Sequence, residues 1–176
     1  MANAIVARIE ELGGWTDRLS LKRHDFLIRP GTVEKNIYYV EEGTLRVIME
    51  DNGEEHTIRF GYKGTLFTAL DSFISGKPTV YGIQAIKKSE LLVMKKKDFL
   101  DIIAEDKALA DVYRIQMEQL VLQQMERETD LLTASPQDRY DRVMKRSPHL
   151  FQEIPSKYIA SYLRMTPETL SRLKKS

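Results

Sequence analysis

A run of thirty-six residues, from Lys97 to Leu132, contains neither glycine nor proline. Its apolar residues recur at intervals of three and four, which predicts a short helix followed by a long one. Before this run, from Asp25 to about Met94, the chain reads as short strand-like segments rich in β-branched and aromatic residues. We therefore expect an α+β protein, in which an antiparallel β-roll of the jelly-roll type precedes a long helix.

Two local signals refine this expectation. Residues 3–14 place the apolar side chains of Ile5, Ile9 and Leu12 at helical spacing, and Gly13 and Gly14 end the predicted helix. Further along, Asn52-Gly53 lies between two alternating runs. Asn-Gly readily adopts the positive φ that tight hairpin turns require, so a β-hairpin is predicted there.

Composition excludes several classes of protein. The chain has 176 residues and no cysteine, which excludes disulfides, cysteine-held zinc, cysteine-held iron–sulfur clusters and thiol nucleophiles. No apolar run is long enough to span a membrane, and the charged N-terminus lacks the apolar block of a signal peptide. We expect a soluble, cytoplasmic protein.

Charge is divided unequally along the chain. Residues 136–176 hold nine Lys or Arg and four Asp or Glu, a net charge of +5. Residues 1–135 hold eighteen basic and twenty-two acidic residues, a net charge of −4. A basic C-terminal segment on an acidic body indicates a polyanionic partner for that segment, although a mildly basic surface on a small helical domain is the simpler alternative.

The predicted long helix carries two adjacent apolar rows. One follows the 3-4 spacing of a coiled-coil seam and contains Val112, Ile115, Gln119, Leu122, Met125, Thr129 and Leu132. The other contains Tyr113, Met117, Leu120, Gln124 and Leu131. Burial on two sides favours a homodimer, with one row against the β-roll and the other against the partner's helix. The alternative is that both rows pack within one subunit.

The C-terminal residues have the spacing of a helix-turn-helix. Ser135-Pro136 is a typical helix start, with a serine cap and proline at the first helical position. In the last block, IPSKYIASYLRMTPETLSRLKKS, Thr166 and Pro167 repeat that signal. The side chains expected to face inward are those of Ile159, Ala160, Leu163, Leu170 and Leu173.

In such a motif the second helix enters the major groove of double-stranded DNA. Arg172 would suit guanine O6 and N7, and Glu168 would accept from cytosine N4. Ser156, Lys157, Lys174 and Lys175 would suit phosphates. The full set of predicted DNA-binding residues is Ser156, Lys157, Thr166, Pro167, Glu168, Ser171, Arg172 and Lys175.

The whole chain resembles the CRP/FNR family of bacterial transcription regulators. The resemblance rests on the C-terminal block and on PGTVEKNIYYVEEGTLRVIMEDNGEEHTIRFGYKG, with its Pro-Gly corner, its Tyr-Tyr-Val-x-x-Gly turn and Gly64. It implies a cyclic-nucleotide-binding-like β-roll (residues 1–108), a dimerisation helix and hinge (109–134) and a helix-turn-helix domain (135–176). It also implies that Glu168 and Arg172 contact bases and that RNA polymerase is a further partner.

The phosphate-binding cassette of the family falls, without gaps, on residues 64–85. The Gly-Glu pair that holds the ribose would fall on Thr68 and Ala69, and the Arg-Ser pair that holds the cyclic phosphate on Thr79 and Val80. Because a buried phosphate without its cation costs several kcal/mol, we expect no cAMP or cGMP in the usual pose. Any other effector is undetermined, and no cofactor is predicted.

Two further departures concern the DNA-binding end. Arg164 takes the turn position at which such motifs usually carry glycine, which predicts about 1 kcal/mol of strain if φ is positive there. Too few residues follow Leu173 to form the β-hairpin wing of longer relatives, so the helix-turn-helix is expected to lack a wing.

The prediction is therefore a homodimeric DNA-binding transcription regulator and not an enzyme. The principal alternative is a ligand-binding or interaction module of the same fold whose DNA reader has decayed. A more remote one is a metal-dependent cupin-like enzyme, but the chain has no His-x-His pair. His24, His56 and His149 show no ligand spacing, so no metal or haem site is predicted.

Overall fold

The computed structural model of the protein describes residues 2–175. The helices are α1 (Ala2–Glu11), α2 (Leu70–Ser75), α3 (Lys96–Glu105), α4 (Lys107–Leu132), α5 (Pro136–Arg146), α6 (Pro148–Glu153), α7 (Ser156–Tyr162) and α8 (Pro167–Leu173). The strands are β1 (Asp17–Leu21), β2 (Phe26–Ile28), β3 (Asn36–Glu42), β4 (Thr44–Asp51), β5 (Glu54–Tyr62), β6 (Leu66–Phe67), β7 (Gly82–Ala85) and β8 (Ser89–Lys95).

The strands form two four-stranded sheets, ordered β1-β8-β3-β6 and β2-β7-β4-β5. The central strands β8 and β7 pair antiparallel with both of their neighbours. Val40, Leu45, Ile83 and Leu91, one from each of β3, β4, β7 and β8, are buried in the core that the two sheets share. The predicted antiparallel, jelly-roll-like β-roll followed by a long helix is confirmed.

The turn between β4 and β5 has the geometry that its sequence predicts. Asn52 and Gly53 have φ values of 52° and 82°. Positive φ at both central residues is the mark of a type I′ turn, whose twist matches that of the two strands it joins.

A second apolar cluster packs helices together beside the sheets. Ile5 and Ile9 of α1 are buried there with Phe73, Met94 and Phe99. Burial of Ile5 and Ile9 in this cluster stabilises the N-terminal helix predicted from the sequence, which ends at Glu11, and Gly13 beyond it has a φ of 62°. Leu12, just beyond α1, is exposed.

The predicted short and long helices meet at Asp106. Its extended backbone ends α3, and its Oδ1 accepts a hydrogen bond of 2.8 Å from the Ala108 amide in the first turn of α4. An acceptor at that position satisfies an amide that the helix itself leaves without a partner. At the start of α4, the Tyr113 ring packs edge-on against Phe99, with centroids 5.7 Å apart.

Helices α5–α8 bury a core of their own. Ser135 caps α5 by accepting a hydrogen bond from the Asp138 amide, and Pro136 takes the first helical position, as predicted. The buried apolar residues are Val143, Leu150, Ile154, Tyr158, Ile159, Ala160, Leu163 and Leu170.

Packing divides the described chain into two compact units. The first contains residues 2–49 and 59–118, and the second contains residues 50–58 and 119–175. The second unit therefore includes the tip of the β4–β5 hairpin. The three-part domain division given above stays a prediction.

Four short elements were not predicted: β1, β6, α2 and α6. The longest of them has six residues, which is too short for a periodic pattern to be recognised. Between residues 2 and 175, no helix is both long enough and apolar enough to cross a bilayer.

Candidate functional site

Three regions contain the residues predicted to be functional: the cassette of the first unit, the α7–α8 pair of the second, and the dimer row on α4. The cassette runs through β6, α2 and β7. Gly76, with φ of 70°, ends α2, and its amide donates to the Ser72 carbonyl at 2.8 Å. The left-handed conformation suits glycine because it has no Cβ, so the chain reverses there without strain.

The cassette residues Thr79 and Val80 share one acceptor, the carboxylate of Asp71. The Thr79 hydroxyl donates to Asp71 Oδ1 at 2.8 Å, and the Val80 amide donates to Oδ2 at 3.2 Å. Thr79 is 1% exposed, whereas the Val80 side chain is exposed. The segment after α2 is therefore closed onto α2 by a side chain of the protein itself.

The other two cassette residues do not reach Asp71 through a hydrogen bond. The Thr68 hydroxyl donates to the Asn36 carbonyl at 2.9 Å, and Ala69 is buried. Of the four predicted pocket residues, the structure thus brings Thr79 and Val80 together at one carboxylate and leaves Thr68 and Ala69 apart from it.

Glu34, whose buried carboxylate lies next to the cassette, was not predicted to be a site residue. Its Oε1 accepts from the Lys35 and Asn36 amides, each at 2.8 Å, and its own amide donates to the Ser72 hydroxyl. Burial raises the pKa of Glu34 above its ordinary value, while hydrogen bonds from the two amides oppose the shift. Glu34 joins the start of β3 to α2, and nothing in its local sequence distinguishes it from a surface glutamate.

Tyr38 lies close to the carboxylate of Glu34. Its hydroxyl is 3.4 Å from Glu34 Oε1. Burial, and then the charge of Glu34, raise the pKa of Tyr38 to about 12. Tyr38 is therefore protonated throughout the physiological pH range and acts as a hydrogen-bond donor.

The second region is the pair α7 and α8, which pack through small and branched side chains. Ile159, Ala160, Leu163 and Leu170 are all essentially buried, as predicted, and Leu173 is half-buried. The small Ala160 lies within this packed set, consistent with the close approach that the sequence predicted for the two helices.

The turn between the two helices follows a recognisable hydrogen-bond pattern. The Met165 amide donates to the Ala160 carbonyl at 3.0 Å, and the Arg164 amide donates to the Ser161 carbonyl at 3.1 Å. This is a Schellman motif, in which the residue after the C-cap is left-handed and usually glycine. Arg164 occupies that position with φ of 53°, so the positive φ considered in the sequence analysis is observed.

Helix α8 begins as predicted and directs polar residues outward. Thr166 accepts a hydrogen bond from the Thr169 amide, and Pro167 takes the first helical position. With Leu170 buried, the exposed residues of α8 and the two that follow it are Pro167, Glu168, Ser171, Arg172, Lys174 and Lys175. The predicted base-reading residues therefore lie on the solvent side of the helix.

Three of the four predicted phosphate-contacting residues, Ser156, Lys157 and Lys174, lie at the start of α7. Ser156 and Lys157 are both exposed. Lys174 Nζ donates to Ser156 Oγ at 2.8 Å, and Lys157 Nζ lies 4.7 Å from the centre of the Tyr158 ring. The structure thus places the N-terminus of α7 beside the end of α8.

Arg139 of α5 joins three segments and was not predicted. Its Nη1 donates to the carbonyls of Thr133 and Ala134, at 2.7 and 3.0 Å. Its Nε donates to the Leu163 carbonyl at 3.0 Å, and Nη2 to that of Arg164 at 3.3 Å. One guanidinium therefore fixes both the predicted hinge after α4 and the turn between α7 and α8.

A buried carboxylate lies on the last turns of α4. Asp130 is completely buried and accepts a hydrogen bond from Arg142 at 2.9 Å. It also accepts from Arg146, and this hydrogen bond raises the pKa of Arg146. The pair of arginines compensates a charge that would otherwise be costly to bury.

The predicted dimer helix divides into two parts. Val112 packs against the helical cluster of the first unit, and Ile115 is half-buried. Leu122 and Met125 are 60% and 59% exposed, and Gln119 is exposed too. The outer half of the predicted seam is therefore an apolar surface on α4.

No three histidine, aspartate or glutamate side chains converge as metal ligands anywhere in residues 2–175. His24 and His149 are exposed, and His56 is half-buried on β5.

The chain is similar in sequence and in fold to known proteins. Residues 18–106, just over half of the chain, match the model of the cyclic nucleotide-binding domain. A cAMP-dependent protein kinase regulatory subunit of Blastocladiella emersonii is 38% identical over 89 residues, which cover 50% of this chain and 21% of that protein. The chain thus spans about a fifth of the length of this curated relative.

Two solved structures, of FixK2 and of a CooA mutant, have a similar fold. FixK2 from Bradyrhizobium japonicum matches with a TM-score of 0.75 and 16% identity, over 90% of this chain and 82% of that one. CooA from Carboxydothermus hydrogenoformans matches with a TM-score of 0.73 and 18% identity, over 90% of this chain and 74% of that one. At such identities the likeness concerns the fold alone. Because residues 18–106 match the family model, this chain belongs to the cyclic nucleotide-binding domain family.

Proposed function

We propose that this protein is a homodimeric, DNA-binding transcription regulator of the CRP/FNR type, and not an enzyme. The observation that carries the proposal is the orientation of α8. Leu170 is buried against α7, while Glu168 and Arg172 are exposed one turn apart. A short helix anchored on one side, with an acid and an arginine on the other, is suited to reading base edges in a major groove.

The charge distribution supports a nucleic-acid partner for this end of the chain. Residues 136–176 carry a net charge of +5. Lys157, Arg164, Lys174 and Lys175 are exposed on or beside the α7–α8 pair. Phosphate contacts from these side chains would orient the pair on the duplex, while Glu168 and Arg172 supply the selectivity.

The apolar surface of α4 supports a twofold partner. Val121, Leu122 and Met125 are each about 60% exposed. Exposed apolar side chains that follow one another along a helix indicate an interface, and a second copy of the same helix would bury them in a coiled-coil-like seam. A symmetric dimer would present two α8 helices, so we expect a palindromic site with half-sites about one helical turn apart.

The cassette does not favour the cyclic nucleotide that the name of the Blastocladiella relative implies for that protein. Here the Thr79 hydroxyl and the Val80 amide already donate to Asp71. A cyclic phosphate in that place would compete with this carboxylate and be repelled by its charge. The Arg-Ser pair of the family is Thr79 and Val80 here, so no guanidinium compensates that repulsion. We propose that the β-roll does not respond to cAMP or cGMP.

A gel-shift titration against fragments upstream of the protein's own operon tests the DNA-binding proposal. The wild type is expected to form a sequence-selective complex that weakens as salt is added. Arg172→Ala should lose selectivity at one position of each half-site, at a cost of about 1–3 kcal/mol. Arg8→Ala is the matched control, because it removes the same charge from an exposed position on α1.

One observation favours the second candidate, an interaction module with a decayed DNA reader. Arg164, which is not a glycine, has a left-handed backbone conformation in the turn between α7 and α8. If an intact dimer formed no sequence-selective complex at low salt, the second candidate would replace the first.

A further inference from the structure

Hydrogen bonds join the tip of the β4–β5 hairpin to helices α4 and α7, within the second unit. Ser161 of α7 accepts a hydrogen bond from the Thr57 amide at 3.0 Å, and its hydroxyl donates to the Glu55 carbonyl at 3.3 Å. Arg127 of α4 donates to the Thr57 carbonyl at 3.5 Å, the upper limit for such a bond. We refer to these four residues, Glu55, Thr57, Arg127 and Ser161, as the hairpin seam.

Two polar atoms in the hairpin seam are buried without a hydrogen-bond partner among the described residues. They are Nη1 of Arg127 and the hydroxyl oxygen of Thr57. Arg127 is 6% exposed and Thr57 1% exposed. Both atoms have less than 1 Å² of solvent-accessible surface. Closing the hairpin seam therefore removes two donors from water without replacing their hydrogen bonds.

The charge of Arg127 is also weakly compensated. Its guanidinium carbon lies 3.7 Å from the centre of the Tyr162 ring. The face of the ring attracts the cation, but it does not accept a hydrogen bond from the N–H groups that lie in the guanidinium plane. The nearby buried carboxylate, Asp130, already accepts from Arg142 and Arg146. Burial lowers the pKa of Arg127, which reflects the same loss of hydration.

These contacts have opposite effects on the closed state. An ordinary intramolecular hydrogen bond stabilises only modestly because water replaces it on opening, whereas an unpartnered buried donor carries its full desolvation cost. The hydrogen bonds of Ser161 and Arg127 hold the hairpin seam closed, and the two unpartnered donors favour its opening. Such a balance leaves the open state within reach of thermal fluctuation.

We propose that the hairpin seam is a reversible latch. When it opens, Arg127 Nη1 and the Thr57 hydroxyl regain water, and the last turn of α7 loses its contact with the hairpin tip. That turn leads directly into the strained Arg164, so the latch controls how firmly the end of α7 is held. This inference does not depend on DNA binding.

Hydrogen exchange of the full-length protein, with Thr57→Val as the principal variant, tests the latch. Valine keeps the shape of threonine and removes only the unpartnered hydroxyl, so the closed state gains stability. Exchange of the amides at residues 54–58 should slow about tenfold. Thr79→Val is the matched control, because Thr79 is also 1% exposed but its hydroxyl donates to Asp71. The control should instead lower the thermal midpoint.

Thr57→Val is expected to stabilise the closed hairpin seam, whereas Thr79→Val is expected to destabilise the protein. This contrast tests whether the unpartnered hydroxyl of Thr57 favours opening. If Thr57→Val leaves exchange at the hairpin tip unchanged, or accelerates it, the unpartnered hydroxyl does not favour opening and the proposal is overturned.

Ser161→Ala supplies an independent test, because it removes the side chain that holds the latch closed. The Thr57 amide should then exchange about tenfold faster, while the amides of Leu45 and Leu91 in the β-roll core keep their protection. If the Thr57 amide exchanges only through global unfolding, in the wild type and in this variant alike, the hairpin seam does not open separately and there is no latch.

Discussion

The carboxylate of Asp71 accepts a hydrogen bond of 2.8 Å from the Thr79 hydroxyl. The resemblance to CRP/FNR regulators implies that a cyclic phosphate would bind at the position of Thr79, so a negative charge already lies there. Because like charges repel at this range, isothermal titration calorimetry with cAMP should give no saturable heat from the wild type. A micromolar site in the β-roll would contradict this prediction.

Glu34 should make stability depend on pH. Its folded-state pKa is raised above the ordinary value of 4.5, so it binds a proton more readily in the folded than in the unfolded state. Its stabilising contribution is then complete below pH 4.5 and is lost as pH rises through the folded-state pKa. Urea unfolding at several pH values should show that the wild type loses stability relative to Glu34→Gln over this rise. If the difference in stability between the wild type and Glu34→Gln did not vary with pH, the raised pKa of Glu34 would be contradicted.

Arg139 should contribute strongly to the stability of the protein. Arg139→Ala leaves the carbonyls of Thr133, Ala134, Leu163 and Arg164 without their donor, which is expected to lower the free energy of unfolding by about 3 kcal/mol. Arg139→Lys should recover only part of this loss, because an ammonium lacks the planar fork. Lys145→Ala, at an exposed position on the same helix, is the control and should change stability by less than about 0.5 kcal/mol. Equal stability of the Arg139→Ala and Lys145→Ala variants in denaturant titrations would refute the bridging role.

Arg164→Gly separates stability from DNA affinity. Glycine adopts the observed φ of 53° without steric cost, so the free energy of unfolding should rise by about 1 kcal/mol. DNA binding should weaken in gel shifts, because a positive charge beside the reader is lost. A variant that is both more stable and equally tight in binding would show that Arg164 does not contact phosphates.

Leu122→Lys tests the twofold partnership. A lysine in the proposed seam would bury a charge beside its symmetry mate, so sedimentation should show monomers at concentrations at which the wild type is dimeric. Gln123→Lys, on the same exposed stretch of α4, is the control and should remain dimeric. Dissociation of both variants, or of neither, would place the dimer contact elsewhere.

Much of the fold could be predicted because its signals are local. Asn52 and Gly53 specify a turn that requires two positive φ values, and both are observed. Thr166 and Pro167 mark a helix start by side-chain chemistry alone, and α8 begins there. The long helix follows from the absence of residues that would interrupt it.

The residues that were missed depend on contacts between distant segments. Asp130 meets Arg142 and Arg146, which lie twelve and sixteen positions later in the chain. In a single sequence such charges cannot be distinguished from those of a solvated helix face. The same holds for Asp71, which occupies the cassette because the loop after α2 folds back onto it, and for Arg127, whose burial depends on the hairpin tip.

Selection of bound fragments from a random DNA pool tests the central claim, since it examines the reader, its symmetry and its spacing together. The account predicts enrichment of a palindrome with half-sites about one helical turn apart, and loss of that enrichment on Glu168→Ala or Arg172→Ala. Recovery of no common sequence from the intact dimer, or of a single unpaired half-site, would contradict it.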